Sequence, residues 1–449
     1  MKRADRDPFS IPVIRCFALI VVSVLVCVVP GTSVAQEAPP SLEFSFSNPG
    51  ARSMGLGGAF VALADDATAA FANPAGLVQL VRPEISLELR RRNYSTPYTA
   101  GGRVEGPPTG YGIDTVDGIR TGFSNETTSG LSFLSFVYPG TKWSLAVYRH
   151  QLADFAVRTE LNGLFGDAEE GGTRRELDQV TSTDFEIINN GISGALELSE
   201  SLSLGFGLSY FVGSIDVSGS SYLVDQFPET FWDRNSFLAN RILETSRFLS
   251  ESSDWGINAG ILWRFAEGWR LGGVYRQGPD LGYTITNRAG PAHWEPEGSD
   301  TGNVSGLRIS LPDVYGVGVA YRSPNGSVTV GFEWDRVEYS VIMETLGSEL
   351  VDVTDLGLDD ADELRLGFEY VFLESTPLIA VRGGLWHDPD HRFRYEGDDP
   401  YQRALFRPGE DALHISVGAG IAFSRFQIDI GADFSDAVDQ FALSAIYNF

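Results

Sequence analysis

The sequence predicts an all-β chain: a fourteen-stranded antiparallel transmembrane β-barrel with an N-terminal plug in its lumen. Three observations predict it. Apolar and polar residues alternate at period two from about residue 83 to the end. Fourteen such segments can be counted, joined by connections that are short and long in turn. The last segment places Phe441, Leu443, Ala445, Tyr447 and Phe449 on one face.

Composition narrows the class before any element is placed. Glycine is 50 of 449 residues, aromatics are 12%, and formal net charge is −27. So acidic a chain would repel phosphates, which excludes nucleic acid as a partner. A hydrophobic content of 43% excludes a disordered chain. No stretch of 18 or more apolar residues follows the N-terminal segment, so no membrane-spanning helix is predicted.

Residues 1–35 read as a secretory signal peptide. Lys2, Arg3, Arg6 and Arg15 outweigh Asp5 and Asp7, the apolar run Cys16–Val29 follows, and Ser33-Val34-Ala35 supplies small residues for cleavage. Its removal would take away Cys16 and Cys27, the only cysteines, so a disulfide framework and thiol chemistry are not expected.

Residues 36–82 read as the plug, or hatch. Gly55, Gly57 and Gly58 allow close backbone approach or turning at positive φ. Asp65 and Asp66 precede an Ala-rich turn that Asp66 is placed to cap. Asn73-Pro74-Ala75 ends that turn. Phe60, Val61, Leu63, Phe71 and Leu77 would be out of place in a flexible linker.

Residues 83–449 read as the barrel. Strands are expected near 83–95, 129–139, 142–158, 177–197, 201–217, 252–265, 268–286, 312–323, 326–340, 361–373, 376–388, 411–424, 426–434 and 438–449. In 201–212, Leu202, Leu204, Phe206 and Leu208 oppose Ser203, Gly205 and Gly207. Segments of 11–18 residues are long for a sandwich and suit a tilted crossing of ~30 Å of hydrocarbon. The polar face carries Glu333, Asp335, Glu363, Arg365, Glu369, Asp429 and Asp433, as a barrel lumen would. The aromatic end at Tyr447 and Phe449 resembles an outer-membrane assembly signal, which makes outer-membrane lipid and the assembly machinery expected partners and the bacterial outer membrane the expected location.

Within 221–250, Phe227, Phe231, Leu238, Ile242 and Leu249 recur at steps of 4, 7, 4 and 7, the stripe of an amphipathic helix. With Trp232 alongside, such an extracellular helix would present an apolar groove, or pack on the rim. Other signals are weak. Gly55-Leu56-Gly57-Gly58 opens no βαβ unit, so no dinucleotide or other cofactor is expected. His387, Asp388, Asp390 and His391, like Asp398-Asp399, read as a solvated acidic loop and no metal is expected. Ser416 near His414 is too little for an enzyme, and none is expected.

The segment from Asn48 to Leu77, with its Gly-rich start, Ala64-Asp65-Asp66-Ala67 and Asn73-Pro74-Ala75, resembles the hatch of FadL/TodX-type outer-membrane transporters of long-chain fatty acids and other hydrophobic compounds. The resemblance is strong over about 30 residues and otherwise lies in strand count and layout. It implies a hydrophobic small-molecule ligand taken from an outer apolar groove to a pocket beside the hatch, with Phe71 in reach, and out through the barrel wall. It places the Asn73-Pro74-Ala75 turn near a kink of the third strand, for which Leu152-Ala153-Asp154-Phe155 is the candidate. The Gly-rich start is closer to PorV-type barrels that serve protein secretion, so a protein-binding role stays open.

Overall fold

The computed structural model describes residues 46–168, 172–224, 231–233, 237–238, 241–286, 288–290, 304–344 and 355–449. The signal segment and the first residues of the hatch lie outside them, as does Phe227.

Fourteen antiparallel strands close into a barrel. They are β1 Glu84–Tyr94, β2 Thr127–Pro139, β3 Trp143–Leu161, β4 Asp178–Ser199, β5 Leu202–Tyr222, β6 Ile242–Ala266 and β7 Trp269–Arg276. They continue with β8 Val314–Arg322, β9 Val328–Val337, β10 Ala361–Phe372, β11 Leu378–Asp388, β12 Ala412–Ala422, β13 Phe426–Phe434 and β14 Val438–Asn448. The seam pairs β14 with β1 from Glu84↔Asn448 to Tyr94↔Val438. Closure removes the free edges of an open sheet, so the strands satisfy most of their ladder without water, the β2–β3 pair being interrupted partway up.

Period-two patterning decides which way each residue faces. On β10, Leu364, Leu366, Phe368, Tyr370 and Phe372 face outward and are exposed, while Glu363, Arg365 and Glu369 face in and are buried. All seven lumen charges expected from the pattern are buried. Aromatics gather at the lower rim, among them Tyr138, Trp143, Trp263, Trp269, Tyr447 and Phe449, where amphipathic rings suit a membrane interface. Phe449 donates its N–H to Pro83 O at 3.0 Å and its ring lies 5.1 Å from that of Tyr447.

Two expected elements differ. The expected strand 268–286 stops at Arg276, and Asp280–Thr286 pairs instead with Val304–Ser310 as a separate hairpin. Pro279 is the reason: it has no N–H for the ladder. The hairpin packs Leu281, Tyr283, Leu307 and Ile309 against the tops of β5 and β6, fully buried. The helix expected across 221–250 is not formed by its C-terminal half. Ile242 and Leu249 lie on β6, which pairs residue by residue with β5 up to Tyr222, and Leu249 is 69% exposed. A neighbouring strand that offers a long unpaired edge overrides a helical period carried by five residues.

The wall is uneven. β6 has 25 residues and β13 only 9. On the tall side the alternation inverts partway up. On β5 the outward Leu204, Phe206 and Leu208 give way to inward Phe211, Ile215 and Val217. On β4 the outward Ile192 and Leu196 give way to inward Phe185 and Ile187. Below the switch the outside is lipid; above it the outside is water and the apolar face turns in.

Candidate functional site

Residues 46–82 fill the lower lumen and are almost wholly buried. They form two short helices, α1 Ala51–Gly55 and α2 Ala69–Ala72, and a 3-10 turn Pro74–Gln79. Small residues are required on both sides of this contact. A side chain at wall glycines Gly205, Gly260, Gly272, Gly367, Gly384 or Gly431 would overlap hatch backbone or side-chain atoms. Gly331 and Gly418 face Ala59 and Gly55 less tightly, a Cβ at either lying 3.0 Å from the nearest hatch atom. In the hatch, Gly57 adopts φ +63° and a Cβ there would lie 2.9 Å from Leu385 N. Gly58, at φ +79°, lies under the Arg365 guanidinium.

Buried ions fix the hatch further. Arg52 bonds Asp65 at 2.6 Å and Glu369 at 3.0 Å, and Arg322 reaches Asp65 at 2.6 Å. Glu333 accepts the N–H groups of Phe60 (2.7 Å) and Val61 (2.6 Å) and the Asn48 amide (3.1 Å). Burial pushes the Asp65 carboxyl up, but Arg52, Arg322 and Arg270 outweigh it and hold Asp65 well below the usual carboxylate range. At Asp66 burial wins over Arg52 and Thr68, and the carboxyl is raised. The signs differ accordingly. Asp65 stabilises the folded state above about pH 4, the unfolded carboxylate value, and this is lost as pH falls through its folded value. Asp66 stabilises only while protonated, and that is lost as pH rises through its folded value. Asp65→Asn is therefore expected to loosen the hatch at pH 7 by about 1–3 kcal/mol, since Arg52 keeps Glu369 while Arg322 loses its carboxylate partner. Asp66→Asn should be neutral or stabilising, because its Oδ1 can still accept from Thr68 N–H (2.9 Å). Hydrogen exchange across residues 50–70 at pH 7 distinguishes the two.

The Asn73-Pro74-Ala75 turn is held in one shape. Asn73 Oδ1 accepts from Ala75 N–H at 3.1 Å, and its amide donates to Val61 O (2.9 Å) and Ile261 O (3.1 Å). Pro74 fits against Gly205 and Gly260, so the turn sits on β5 and β6. This corrects its expected placement beside the third-strand kink: Gly205 and Gly260, paired across the ladder, leave room for the proline ring. Gly205 lies eight residues below Gly213, the β5 residue that shares a ladder row, through Ile187, with Ala153. The hatch residue beside the irregularity in β3 is Phe71, 4.4 Å from the His150 ring and 6.2 Å from Tyr148. Arg276 lies 5.1 Å over its other face and donates to Ala72 O at 2.7 Å.

The irregularity itself is a β-bulge. Gln151 pairs with Ile188 and Ala153 with Ile187, so Leu152 is the extra residue. At this level the ladder between β2 and β3 ends. Its last pair is Phe133↔His150, although β2 runs on from Phe133 to Thr127 along β1, and β3 runs on to Leu161 along β4. Side chains bridge the seam instead. Arg149 donates to Leu131 O (2.6 Å) and Tyr94 to Asp154 O (2.6 Å), and Arg92 lies 3.6 Å from the Asp154 carboxylate. Behind the seam lies a packed apolar cluster of Phe71, Phe133, Tyr148, Phe155, Phe185 and Ile187, all buried. His150, 3% exposed, has no hydrogen-bond partner for Nδ1 among the described residues.

The sequence pattern pointed to Ala153 and Asp154 but not to this apolar cluster. The signal was present: apolar residues change parity between Leu208 and Phe211, and between Ile187 and Ile192. Of the residues expected to form an outer groove, Phe231 and Trp232 pack with Phe165, at 6.1 and 5.7 Å, and Tyr111 lies 5.9 Å from Trp232. Arg175 pins this cluster by donating to Phe231 O (2.7 Å) and Asp233 O (3.0 Å). Leu238 is half-exposed, and Ile242 and Leu249 are on the strand described above. The loop residues considered for a metal have other partners. Asp399 caps the helix Pro400–Leu405 and Asp398 pairs with Arg403 at 2.8 Å. His387 shares a hydrogen bond with Asp411 (3.1 Å) and His391 lies 3.5 Å from Asp388. Ser416 donates to Asp433 (2.5 Å), as His414 also bonds it (2.6 Å), so the hydroxyl is turned to the carboxylate and not to the imidazole.

Comparison with known proteins agrees with this architecture. The chain is similar to the long-chain fatty acid transport protein of Escherichia coli, 24% identical over 425 residues that cover 87% of this chain and 86% of that one. It is also similar to outer membrane protein P1 of Haemophilus influenzae, 23% identical over 273 residues, 56% of this chain. The chain spans 55% of that relative's length and 64% of the Salmonella typhi long-chain fatty acid transport protein. Among solved structures, a Pseudomonas aeruginosa FadL homologue superposes with a TM-score of 0.61 at 15% identity, covering 92% of this chain and 99% of that one. The Pseudomonas putida toluene transporter TodX gives 0.56 at 15% identity, covering 91% of this chain and 100% of that one. The profile of the outer membrane protein transport protein family (OMPP1/FadL/TodX) matches residues 35–439, and the chain belongs to that family of outer-membrane β-barrels.

Proposed function

We propose that the barrel carries long-chain fatty acids or other hydrophobic small molecules across the outer membrane. The ligand is caught at the aromatic cluster of Phe231 and Trp232, with Leu238 beside it. It descends through the apolar upper lumen to the apolar cluster beside Phe71 and leaves sideways between β2 and β3, past Ala153 and Asp154. The observation that supports this reading best is the missing ladder beyond Phe133↔His150, which lies in front of a buried apolar cluster that a ligand would part to form its chamber. A water-filled porin would line that space with polar groups. His150 Nδ1 offers the chamber a polar contact, suited to a ligand with one polar end. The hatch, anchored by Arg52, Asp65 and the wall glycines, keeps water-soluble solutes out. Relatives named for fatty acids and for toluene leave the ligand open between an acyl chain and an aromatic hydrocarbon.

Uptake by intact cells whose outer membrane carries the barrel tests this. Labelled oleate or toluene should enter at least tenfold faster than into cells lacking it, and a sugar of similar size should not. Equal permeation by the sugar would overturn the reading in favour of a water-filled pore.

A further inference from the structure

The lipid-facing wall carries a groove of about 840 Å³ whose β2 edge, Ser129 to Leu131, borders the proposed exit seam. It runs over β12, β13, β14, β1 and β2. Its sides are Leu89, Leu131, Val417, Ile430, Phe441 and Leu443, and small outward residues, Ala419 and Ala432, leave it hollow.

One end of the groove is charged. Arg91 faces outward on β1, opposite Phe441 on β14 and Ser129 on β2. Its Nε donates to Asn93 Oδ1 at 3.0 Å, and among the described residues it forms no ion pair with a carboxylate. Arg91 stands seven residues above Glu84, the lower end of β1. That is roughly 23 Å along the strand, and about 18 Å along the membrane normal at a tilt of ~40°. The apolar band is about 25 Å tall, so the guanidinium can snorkel to its outer boundary. A cation at that depth beside an apolar hollow has the form of an amphiphile seat. Its planar fork matches a phosphate.

We propose that this groove seats one lipid of the outer leaflet, the phosphorylated, multiply acylated glycolipid, with an acyl chain along the hollow and a phosphate on Arg91. The charged end lies toward the outer leaflet, which is why that lipid and not an inner-leaflet phospholipid is the occupant. The groove's apolar side chains point away from the lumen, so this seat lies outside the barrel, with Leu131 as its edge nearest the proposed exit.

Native mass spectrometry of the delipidated barrel, titrated with lipid A or with phosphatidylglycerol, tests the proposal. Lipid A should bind at least tenfold more tightly than phosphatidylglycerol. Arg91→Gln and Ala432→Trp should each weaken lipid A at least tenfold, and Arg91→Lys should retain part of the affinity. Both sites face lipid, so folding, read from heat-dependent gel mobility, should not change. Unchanged lipid A affinity in Arg91→Gln, or equal binding of phosphatidylglycerol, would overturn it.

Discussion

Replacing Gly384 with leucine is expected to destabilise the hatch-filled barrel strongly, while the same change one residue earlier is expected to do nothing. Gly384 faces the lumen, and a Cβ there would overlap the Leu56–Gly57 peptide. Neither side can yield: the wall is fixed by ladders on both flanks, and the hatch backbone by Glu333 and the Gly57 turn. Overpacking against backbone costs about 3 kcal/mol, about a hundredfold in the ratio of folded to unfolded protein. Gly383 points to lipid, where the nearest atom to a Cβ is Ser416 O at 4.0 Å. Heat-dependent gel mobility and trypsin sensitivity of the hatch read both variants. A stable Gly384→Leu barrel with a protected hatch would show that the wall glycines are incidental.

Deleting Leu152 is expected to lower hydrophobic uptake at least tenfold in a barrel that still folds. The deletion removes the bulge, so β3 runs in unbroken register with β4 and can extend its ladder with β2 beyond Phe133. A companion variant isolates the hatch. Ala59 Cβ lies 3.5 Å from where a Gly331 Cβ would stand, within the range for a disulfide. The pair Ala59→Cys with Gly331→Cys should therefore tether hatch to wall. If ligand leaves through the seam, the tethered barrel keeps its uptake within about twofold with and without reductant. Loss of uptake on tethering, or normal uptake after deleting Leu152, would move the exit from the seam to the hatch.

Much of this could be read from residue order because a membrane barrel is written in a two-letter rhythm. Each strand must alternate to face lipid and lumen, and each short turn must be compact, so all fourteen strands were visible. What was missed came from contacts that are not local. The stripe from Phe227 to Leu249 satisfies a helix as well as it satisfies part of a strand, and only the length of β5 beside it decides. Asp280–Thr286 alternates like a barrel strand, and only Pro279 before it signals a departure. The Asn73-Pro74-Ala75 turn was recognisable as a rigid corner, but its berth is set by Gly205 and Gly260, some 130 and 186 residues away in sequence. The apolar cluster at the seam escaped notice because its residues occupy positions that lower down are polar.

The glycine contacts bear on what the lineage of this chain can change. Hatch and wall touch mainly through backbone, and successive strands from β5 to β13 each offer a slot to a particular residue between Ala51 and Ala75. Replacing a hatch side chain that points elsewhere disturbs one slot or none. Inserting or removing a single residue shifts every slot downstream of it at once, as a skipped tooth throws off a whole gear train. Descendants of this sequence should therefore vary in letters along the hatch while holding its length, and tolerate gaps of many residues in the tall outer loops.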